Sequence, residues 1–200
     1  MEVVITGDIV NSRSVRSEKW LITLKAVLAD FGRETRDWEV YRGDSFQLVV
    51  AAERALDAVF HIKSAIKETA PLDVRMALGL GSVTYRSPRV LESNGSAFVY
   101  SGECFDQLKK HNLRIKSDFP ELDDTLNLMF SLVDFIMGNW KPVTTEIVRH
   151  KLKYPDLTQR KLAQMMGRKS QASISEGLKR GGYEEIRSLI EYFKIQITKR

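Results

Sequence analysis

The order of strand-like and helix-like segments is the feature that most constrains how this chain folds. Apolar runs typical of strands cover Val3–Val10, Trp38–Arg42, Ser45–Val50 and Leu72–Leu80. The first and third runs are followed by segments whose apolar residues recur with helical spacing, Ser17–Phe31 and Glu53–Glu68. This alternation predicts an α/β (α+β) architecture in which a sheet packs against helices.

The predicted order of strand, helix, strand, strand, helix and strand is that of the ferredoxin-like unit. Helical crossovers in such units are right-handed and return the chain to the starting edge. We therefore expect the four strands to point up, up, down and up, with the first and third as neighbours. This arrangement places Asp8, which ends the first strand, beside Asp44, which lies in the turn after the second.

Two carboxylates at one edge of a sheet are a candidate metal site. Because neighbouring strands lie about 4.8 Å apart, Asp8 and Asp44 could share a divalent cation, Mg²⁺ or Mn²⁺. The simpler interpretation is that Asp8 begins the turn after a buried strand and that Gly43-Asp44 is an ordinary hairpin turn. The sequence leaves both interpretations open.

The second part of the chain has a different pattern. A helix is predicted over Gly95–Lys110, and a short strand over Asn112–Ile115. The segment Lys116–Asp124 is acidic, contains a proline and has no clear periodicity, so we place a domain boundary there, between residues 1–118 and 119–200. Everything after the boundary has helical periodicity, beginning with a long apolar-rich helix over Leu122–Met137.

Positive charge is concentrated in the C-terminal third. Residues 1–140 contain 17 Lys and Arg against 20 Asp and Glu, whereas residues 141–200 contain 14 against 6. This asymmetry predicts a polyanion-binding C-terminal domain on a near-neutral body. No apolar stretch is long enough to span a bilayer, and Cys104 is the only cysteine, so we expect a cytoplasmic protein that does not bind membranes.

Residues 157–175 have the pattern of a helix-turn-helix, in the form T-Q-x-x-L-A-x-x-x-G followed by a Ser- and Gln-rich helix. Ile174, the next inward residue after Gly167, comes one position later than usual. The expected contacts to DNA bases are Lys169, Ser170, Gln171, Ser173 and Ser175, and those to phosphates are Arg160, Lys161, Arg168, Lys179 and Arg180. The alternative is an ordinary three-helix bundle whose basic face is solvated or contacts a protein.

Three N-terminal segments resemble class III nucleotidyl cyclases and diguanylate cyclase domains. They are Gly7–Ser12, Gly43–Phe46 and Val74–Gly81, in the order that these families use. The resemblance implies a nucleotide-cyclase-type palm domain with a metal site at Asp8, Ile9 and Asp44. It also implies phosphate or nucleotide contacts from Asn11, Ser12, Arg13, Arg42 and Arg75, although each arginine also fits a solvated or ion-paired surface position.

Several positions depart from the cyclase pattern. Val40 stands where class III cyclases have a base-reading lysine, and Glu103 and Gln107 stand near the places of their catalytic Asn and Arg. An acidic residue near a triphosphate would repel it, and phosphoryl transfer depends on positioned positive charge. The turn Arg42–Phe46 matches the diguanylate cyclase signature only in part. The catalytic residues are therefore unknown.

The whole chain, with Gly-Asp-Ile-Val-Asn-Ser-Arg near its start and the C-terminal helix-turn-helix, resembles the SatD family of small bacterial proteins. We expect a DNA-binding regulator of transcription whose N-terminal domain binds a metal-nucleotide or mediates homodimerisation. One alternative is a divergent metal-dependent nucleotidyl- or phosphoryl-transfer enzyme at Asp8 and Asp44. The other is a non-catalytic palm used as an oligomerisation scaffold.

Overall fold

The strand and helix order predicted for residues 1–81 is present in the structure. The structure, a computed structural model, describes residues 1–168 and 170–200. The strands are β1 (Glu2–Val10), β2 (Trp38–Tyr41), β3 (Ser45–Ala51), β4 (Asp73–Gly81) and β5 (Leu113–Lys116). The α-helices are α1 (Ser17–Ala29), α2 (Ala55–Lys67), α3 (Ser96–Asp106), α4 (Pro120–Gly138), α5 (Pro142–Lys153), α6 (Gln159–Met165), α7 (Gln171–Arg180) and α8 (Tyr183–Thr198).

The strands form one mixed sheet in the order β2-β3-β1-β4-β5. β1 is antiparallel to both β3 and β4, so the expected neighbours β1 and β3 are confirmed. The expectation that β4 points up is wrong. A crossover through one helix makes the strands that it joins parallel, so β4 points down with β3. Arg75, near the start of β4, therefore lies opposite Asp8 rather than at the far end of the sheet.

Helices cover both faces of the sheet. α1 and α2 pack on one face, where Val3, Ile5 and Leu78 belong to the main hydrophobic core. α3 packs on the other face against β1 and β4. A Cβ atom on Gly79 would lie 2.0 Å from the carbonyl oxygen of Ala97, so only glycine allows α3 to approach β4 this closely.

The edge strand β5 is covered by α4. The side-chain amide of Asn127 accepts from the Ile115 N–H at 2.9 Å and donates to the Ile115 carbonyl oxygen at 3.0 Å. Asp123 accepts from the N–H of Ser117 at 2.7 Å. The acidic segment predicted to be an irregular boundary is therefore mostly ordered, because β5 extends to Lys116 and α4 begins at Pro120. Proline at the first helical position and acidic residues in the first turn both favour such a start.

The C-terminal helices pack on the body of the molecule through α5, which lies against α2. One continuous core contains buried residues from both sides of the predicted boundary at residue 118, including Leu56 before it and Phe130 and Val148 after it. Lys63 on α2 is fully buried. Its Nζ lies 3.0 Å from Oδ1 of Asp73 on β4 and 2.9 Å from Oδ1 of Asp134 on α4. The ion pair with Asp134 lies outside hydrogen-bonding geometry.

Across residues 1–168 and 170–200, none of the helices combines the length and the apolar character that a membrane span requires.

Candidate functional site

The end of β1 is the first candidate site, and its carboxylate is engaged by an arginine. The Arg75 guanidinium donates to both carboxylate oxygens of Asp8, through Nε at 2.9 Å and Nη2 at 2.6 Å. These hydrogen bonds raise the pKa of Arg75. The pair forms because Asp8 and Arg75 face each other in the β1–β4 register. Two-point pairing of this kind fixes both side chains more firmly than a single contact does.

Asp44 lies beside Asp8 at the same sheet edge, as the topology predicts. It follows the β2–β3 turn, in which Arg42 and Gly43 both have positive φ, 52° and 92°. The Ser12 hydroxyl donates to a carboxylate oxygen of Asp44 at 2.6 Å. The backbone N–H of Ile9 donates to the Asp44 carbonyl oxygen at 3.1 Å. Topology therefore brings the two aspartates together, and local hydrogen bonds tie each of them to the chain.

This arrangement does not fit a divalent cation held between Asp8 and Asp44. The Arg75 guanidinium occupies both oxygens of Asp8, and a positive charge at that position repels a second cation. Within residues 1–168 and 170–200, no three His, Cys, Asp or Glu side chains are grouped closely enough to hold a metal. Binding of Mg²⁺ or Mn²⁺ at this edge stays a prediction, and it requires Arg75 to release Asp8.

The other residues predicted to contact phosphate lie in the loop after β1 and in the β2–β3 turn. The backbone of Asn11 has the left-handed conformation, with a φ of 61°. Its side-chain amide donates to the Pro71 carbonyl oxygen at 3.1 Å. Arg13 is exposed in the short 3-10 turn that follows. The guanidinium of Arg42 lies 6.0 Å from the ring centre of Tyr41. Burial raises the pKa of Tyr41, and nearby Asp8 acts in the same direction while Arg42 opposes it. Asn11, Ser12 and Arg13 line one pocket of about 480 Å³, whose described lining does not include Arg42.

The pair of helices α6 and α7 is the second candidate site. The Thr158 side chain accepts from the backbone N–H of Lys161 at the start of α6, and Ser170 accepts from Ser173 at the start of α7. Gly167, in the turn between them, has a φ of 61°, which glycine adopts without strain. The side chains of Leu162 and Ile174 are fully buried. The two helices therefore have the capped ends and the inner face that the sequence pattern predicts.

The outer face of α7 is polar. Gln171, Ser173, Ser175, Lys179 and Arg180 are exposed, and so is the Ser170 cap. The exposed residues Ala172 and Glu176 lie on the same face, although the sequence pattern did not predict them as DNA contacts. Helical periodicity could have found them, because they lie opposite the buried Ile174, Gly177 and Leu178. Lys169 lies outside the described residues.

The predicted phosphate contacts divide into two groups. Arg160, Lys161 and Lys179 are exposed, and in the part of the chain that the structure describes no carboxylate lies within ion-pair distance of them. Arg180 pairs with Glu176 on the same helix. Arg168 is only 30 % exposed and pairs with Glu146 on α5, so its guanidinium fastens the turn to α5 instead of facing outward.

A family model described as the SatD family matches residues 2–187 of the chain. No curated protein matches the sequence. The family match includes both candidate sites, the sheet edge at Asp8 and the helix pair α6–α7. It spans nearly all of the 200 residues, so the chain belongs to the SatD family, as its N-terminal motif and its C-terminal pattern predicted.

Proposed function

We propose that this chain is a regulatory protein that binds duplex DNA, with α6 and α7 acting as a helix-turn-helix and α7 as the helix that enters the major groove. The proposal rests on one observation, the amphipathic character of α7. Its inner face is buried, whereas its outer face carries short polar and basic side chains. Such side chains can reach base edges and phosphates when a helix lies in the groove.

The packing beneath α7 supports this interpretation, because it leaves the outer face free. A Cβ on Gly177 would lie 2.4 Å from Cδ1 of Ile147, so glycine lets α7 cross close to α5. Ile174 and Leu178 complete the buried side. Ile174 comes one position later than in the usual pattern, but its side chain is fully buried.

The charges around the helix pair match a polyanion. Arg160 and Lys161 on α6 and Lys179 on α7 are exposed cations, and residues 141–200 contain 14 basic against 6 acidic side chains. Phosphate contacts of this kind release counterions, so the affinity for DNA falls steeply as the salt concentration rises.

Fluorescence anisotropy with labelled duplex DNA at several salt concentrations tests the proposal. Lys161→Gln and Lys179→Gln should each weaken binding to any sequence, and each should lower the salt slope by about 1. Lys19→Gln, on the exposed face of α1, is the matched control and should leave the slope unchanged. Failure of the wild-type protein to bind duplex DNA in a salt-sensitive manner would exclude this function.

For the sheet, we propose a role as a scaffold rather than as an enzyme, and the pairing of the site carboxylate supports this proposal. The Asp8 carboxylate is paired with Arg75, and Glu103 pairs with Lys116 at 2.7 Å. In this arrangement the Asp8 carboxylate is not free to hold a metal ion for phosphoryl transfer. We propose that the palm-like sheet positions an oligomerisation surface and carries out no chemistry. Catalysis that persists in an Asp8→Asn, Asp44→Asn double variant would have its residues elsewhere.

The oligomerisation surface that we propose is an exposed apolar stripe on α4. Leu128, Leu132 and Phe135 are 66 %, 61 % and 75 % exposed, and their spacing places them on one face of the helix. Beside the stripe, a groove of about 610 Å³ between α4 and α8 is lined by Met129, Leu132, Ile136, Leu189 and Tyr192, among others. Exposed apolar surface of this extent is typical of interaction sites.

The charges at the ends of α4 favour a second copy of the chain as the occupant. Glu121 and Asp124 lie on the face that carries the stripe, one to two turns before it, and the exposed Lys141 follows the C-terminal end of the helix. If two copies pack antiparallel about a two-fold axis near Leu132, the acidic end of each α4 faces the partner's Lys141. A two-fold dimer would also present α7 twice, as DNA-reading dimers do.

Sedimentation velocity over a range of micromolar concentrations tests the dimer. Phe135→Lys should shift the protein to monomer, because a charge in the stripe would be buried without a partner. Ile22→Lys, at a residue that is 71 % exposed on α1, is the control and should stay dimeric. A wild-type protein that remains monomeric throughout would contradict the proposed interface.

A further inference from the structure

A basic cavity lies on the side of α4 opposite the apolar groove, and Phe105, next to its lining residue Cys104, contacts Arg75 of the Asp8–Arg75 pair. It has a volume of about 550 Å³ and is bounded by the C-terminal end of α3, the loop that follows it, β5 and α4. Its basic lining residues are Lys109, Lys110, His111, Arg114 and Lys116. Cavities of roughly 300–1,000 Å³ are the usual size for small-molecule ligands.

The charge in this cavity is not balanced by the protein. Two carboxylates oppose the four Lys and Arg side chains, Asp123 in the lining and Glu103, which pairs with Lys116 at 2.7 Å. Asp123 is engaged elsewhere, since its two oxygens accept from the N–H and the hydroxyl of Ser117, each at 2.7 Å. The cavity therefore has two more positive than negative side chains around it. This excess is confined to the cavity, since residues 1–140 as a whole have three more acidic than basic side chains.

Arg114 is the one arginine in the described lining of the cavity. It extends from β5, is half-buried, and in the described part of the chain no carboxylate lies within ion-pair distance of its guanidinium. A partly desolvated charge without a partner is costly, and that cost is recovered when an anion binds. The planar guanidinium matches the geometry of phosphate oxygens.

The wall behind Arg114 does not supply the missing negative charge. Cys104 lines the cavity, and burial raises the pKa of its thiol to about 11 while Arg114 acts weakly in the opposite direction. Because this pKa lies above physiological pH, Cys104 is a neutral thiol at that pH. The cavity therefore remains cationic.

We propose that this cavity binds a small anionic ligand that carries two or more phosphate groups, with Arg114 as the two-point contact and Lys109 and Lys110 at the rim. Its described lining includes neither Asp8 nor Arg75 and no residue of α7. It gives the sheet domain a ligand-binding role that needs neither a metal nor catalysis, and it does not depend on DNA binding.

Isothermal titration of the full chain with tripolyphosphate at low ionic strength tests this site. The wild-type protein should bind, and Arg114→Gln and Lys110→Gln should each weaken binding at least about tenfold. Lys19→Gln removes an exposed lysine on α1 and is the control that should leave binding unchanged, whereas Arg13→Gln probes the competing phosphate position at the Asp8 edge. Circular dichroism checks that the variants are folded, and Lys110 is exposed, so that its substitution leaves the packing intact.

Two outcomes would overturn the proposal. One is the absence of tripolyphosphate binding to the wild-type protein; if Arg114→Gln then weakens binding to duplex DNA, the cavity is part of the DNA-binding surface. The other is a loss in Arg13→Gln as large as that in Arg114→Gln, which would place the phosphate site at the edge of β1.

Discussion

The ion pair of Asp8 and Arg75 determines what the end of β1 can bind. The sequence identifies Asp8 as a candidate metal ligand, but the guanidinium that faces it across the β1–β4 ladder already holds both of its oxygens. The two side chains are 21 % and 37 % exposed, between the surface and the core. The charge of Asp8 is thus matched within the chain, whereas the carboxylate of Asp44 accepts from the Ser12 hydroxyl.

A double-mutant cycle measures this pair directly. Asp8→Asn and Arg75→Gln should each lower the free energy of unfolding, and the double variant should lose less than the sum of the two. We expect a coupling energy of about 1 kcal/mol, as for well-aligned ion pairs that are partly exposed. Urea denaturation provides the measurement. A coupling of zero would mean that Arg75 does not hold Asp8 in solution, and metal binding at Asp8 would then become testable.

At the level of secondary-structure elements, the closest contact in the sheet domain is that between α3 and β4. Gly79 has no room for a side chain, whereas a Cβ atom on Gly102, on the exposed side of α3, would meet nothing within 4 Å. The two glycines therefore have opposite roles. One sets the distance between a helix and the sheet, and the other only adds backbone freedom to a helix.

Alanine substitutions at the two glycines should move stability in opposite directions. Gly79→Ala should destabilise the protein by roughly 3 kcal/mol, because α3 must shift away from β4. Gly102→Ala should stabilise it by about 0.5–1 kcal/mol through better helix propensity. Thermal unfolding of both variants gives the comparison. Equal effects of the two substitutions would show that α3 does not pack on β4 at this distance.

At the level of the whole molecule, the core and the ion pairs of Lys63 join the parts that the sequence pattern separates. Lys63 connects α2 to β4 and to α4, on both sides of residue 118. Breaking a buried ion pair by removing one partner leaves uncompensated charge in the core. We therefore expect the stability of the sheet to depend on α4, which carries Asp134.

Lys63→Met should lower the free energy of unfolding by about 3–5 kcal/mol. Lys25→Met, which breaks the exposed pair with Glu34, should change it by less than about 1 kcal/mol. Calorimetry of the wild-type protein should show one cooperative transition, with equal calorimetric and van't Hoff enthalpies. Two resolved transitions would instead indicate that residues 1–118 and 119–200 unfold independently.

The ion pairs around Asp73 also predict how stability depends on pH. Burial raises the pKa of Asp73, but the charges of Lys63 and Lys67 outweigh that effect and hold the pKa below its usual value. A carboxyl group with a lowered folded-state pKa stabilises the fold above its unfolded pKa of about 3.9, and this contribution is lost as the pH falls through the folded value. Urea titrations of wild type and Asp73→Asn should therefore converge only below about pH 4. A difference that vanishes near pH 6 would contradict the lowered pKa.

The sequence was sufficient for the order of strands and helices and for the proximity of Asp8 and Asp44, because both depend on periodicity and topology. It was not sufficient for the partner of Asp8. That required the direction of β4, which was predicted wrongly and which sets the register between Asp8 and Arg75. The early start of α4 was missed because the acidic residues after Pro120 suggested a loop, although they also suit a first helical turn.

The side-chain surroundings of the basic cavity and of the α6–α7 turn could not be predicted from the sequence. Lys109, Lys110 and Arg114 are close together in the chain, but only the fold shows that they surround one cavity. Arg168 was expected to contact phosphate, and its pairing with Glu146 depends on the packing of the turn against α5. Side-chain partners of this kind come from tertiary contacts that no local pattern encodes.

Asn127 has a consequence for how this protein behaves when it is crowded with copies of itself. Its amide satisfies the N–H and C=O of Ile115 that a further strand would use, so the sheet cannot grow by strand addition at the middle of β5. The opposite edge is β2, which has only four residues. Unprotected edge strands are where sheets of different molecules join and aggregate. A single amide on a neighbouring helix thus helps to keep a β-sheet protein dispersed at high concentration.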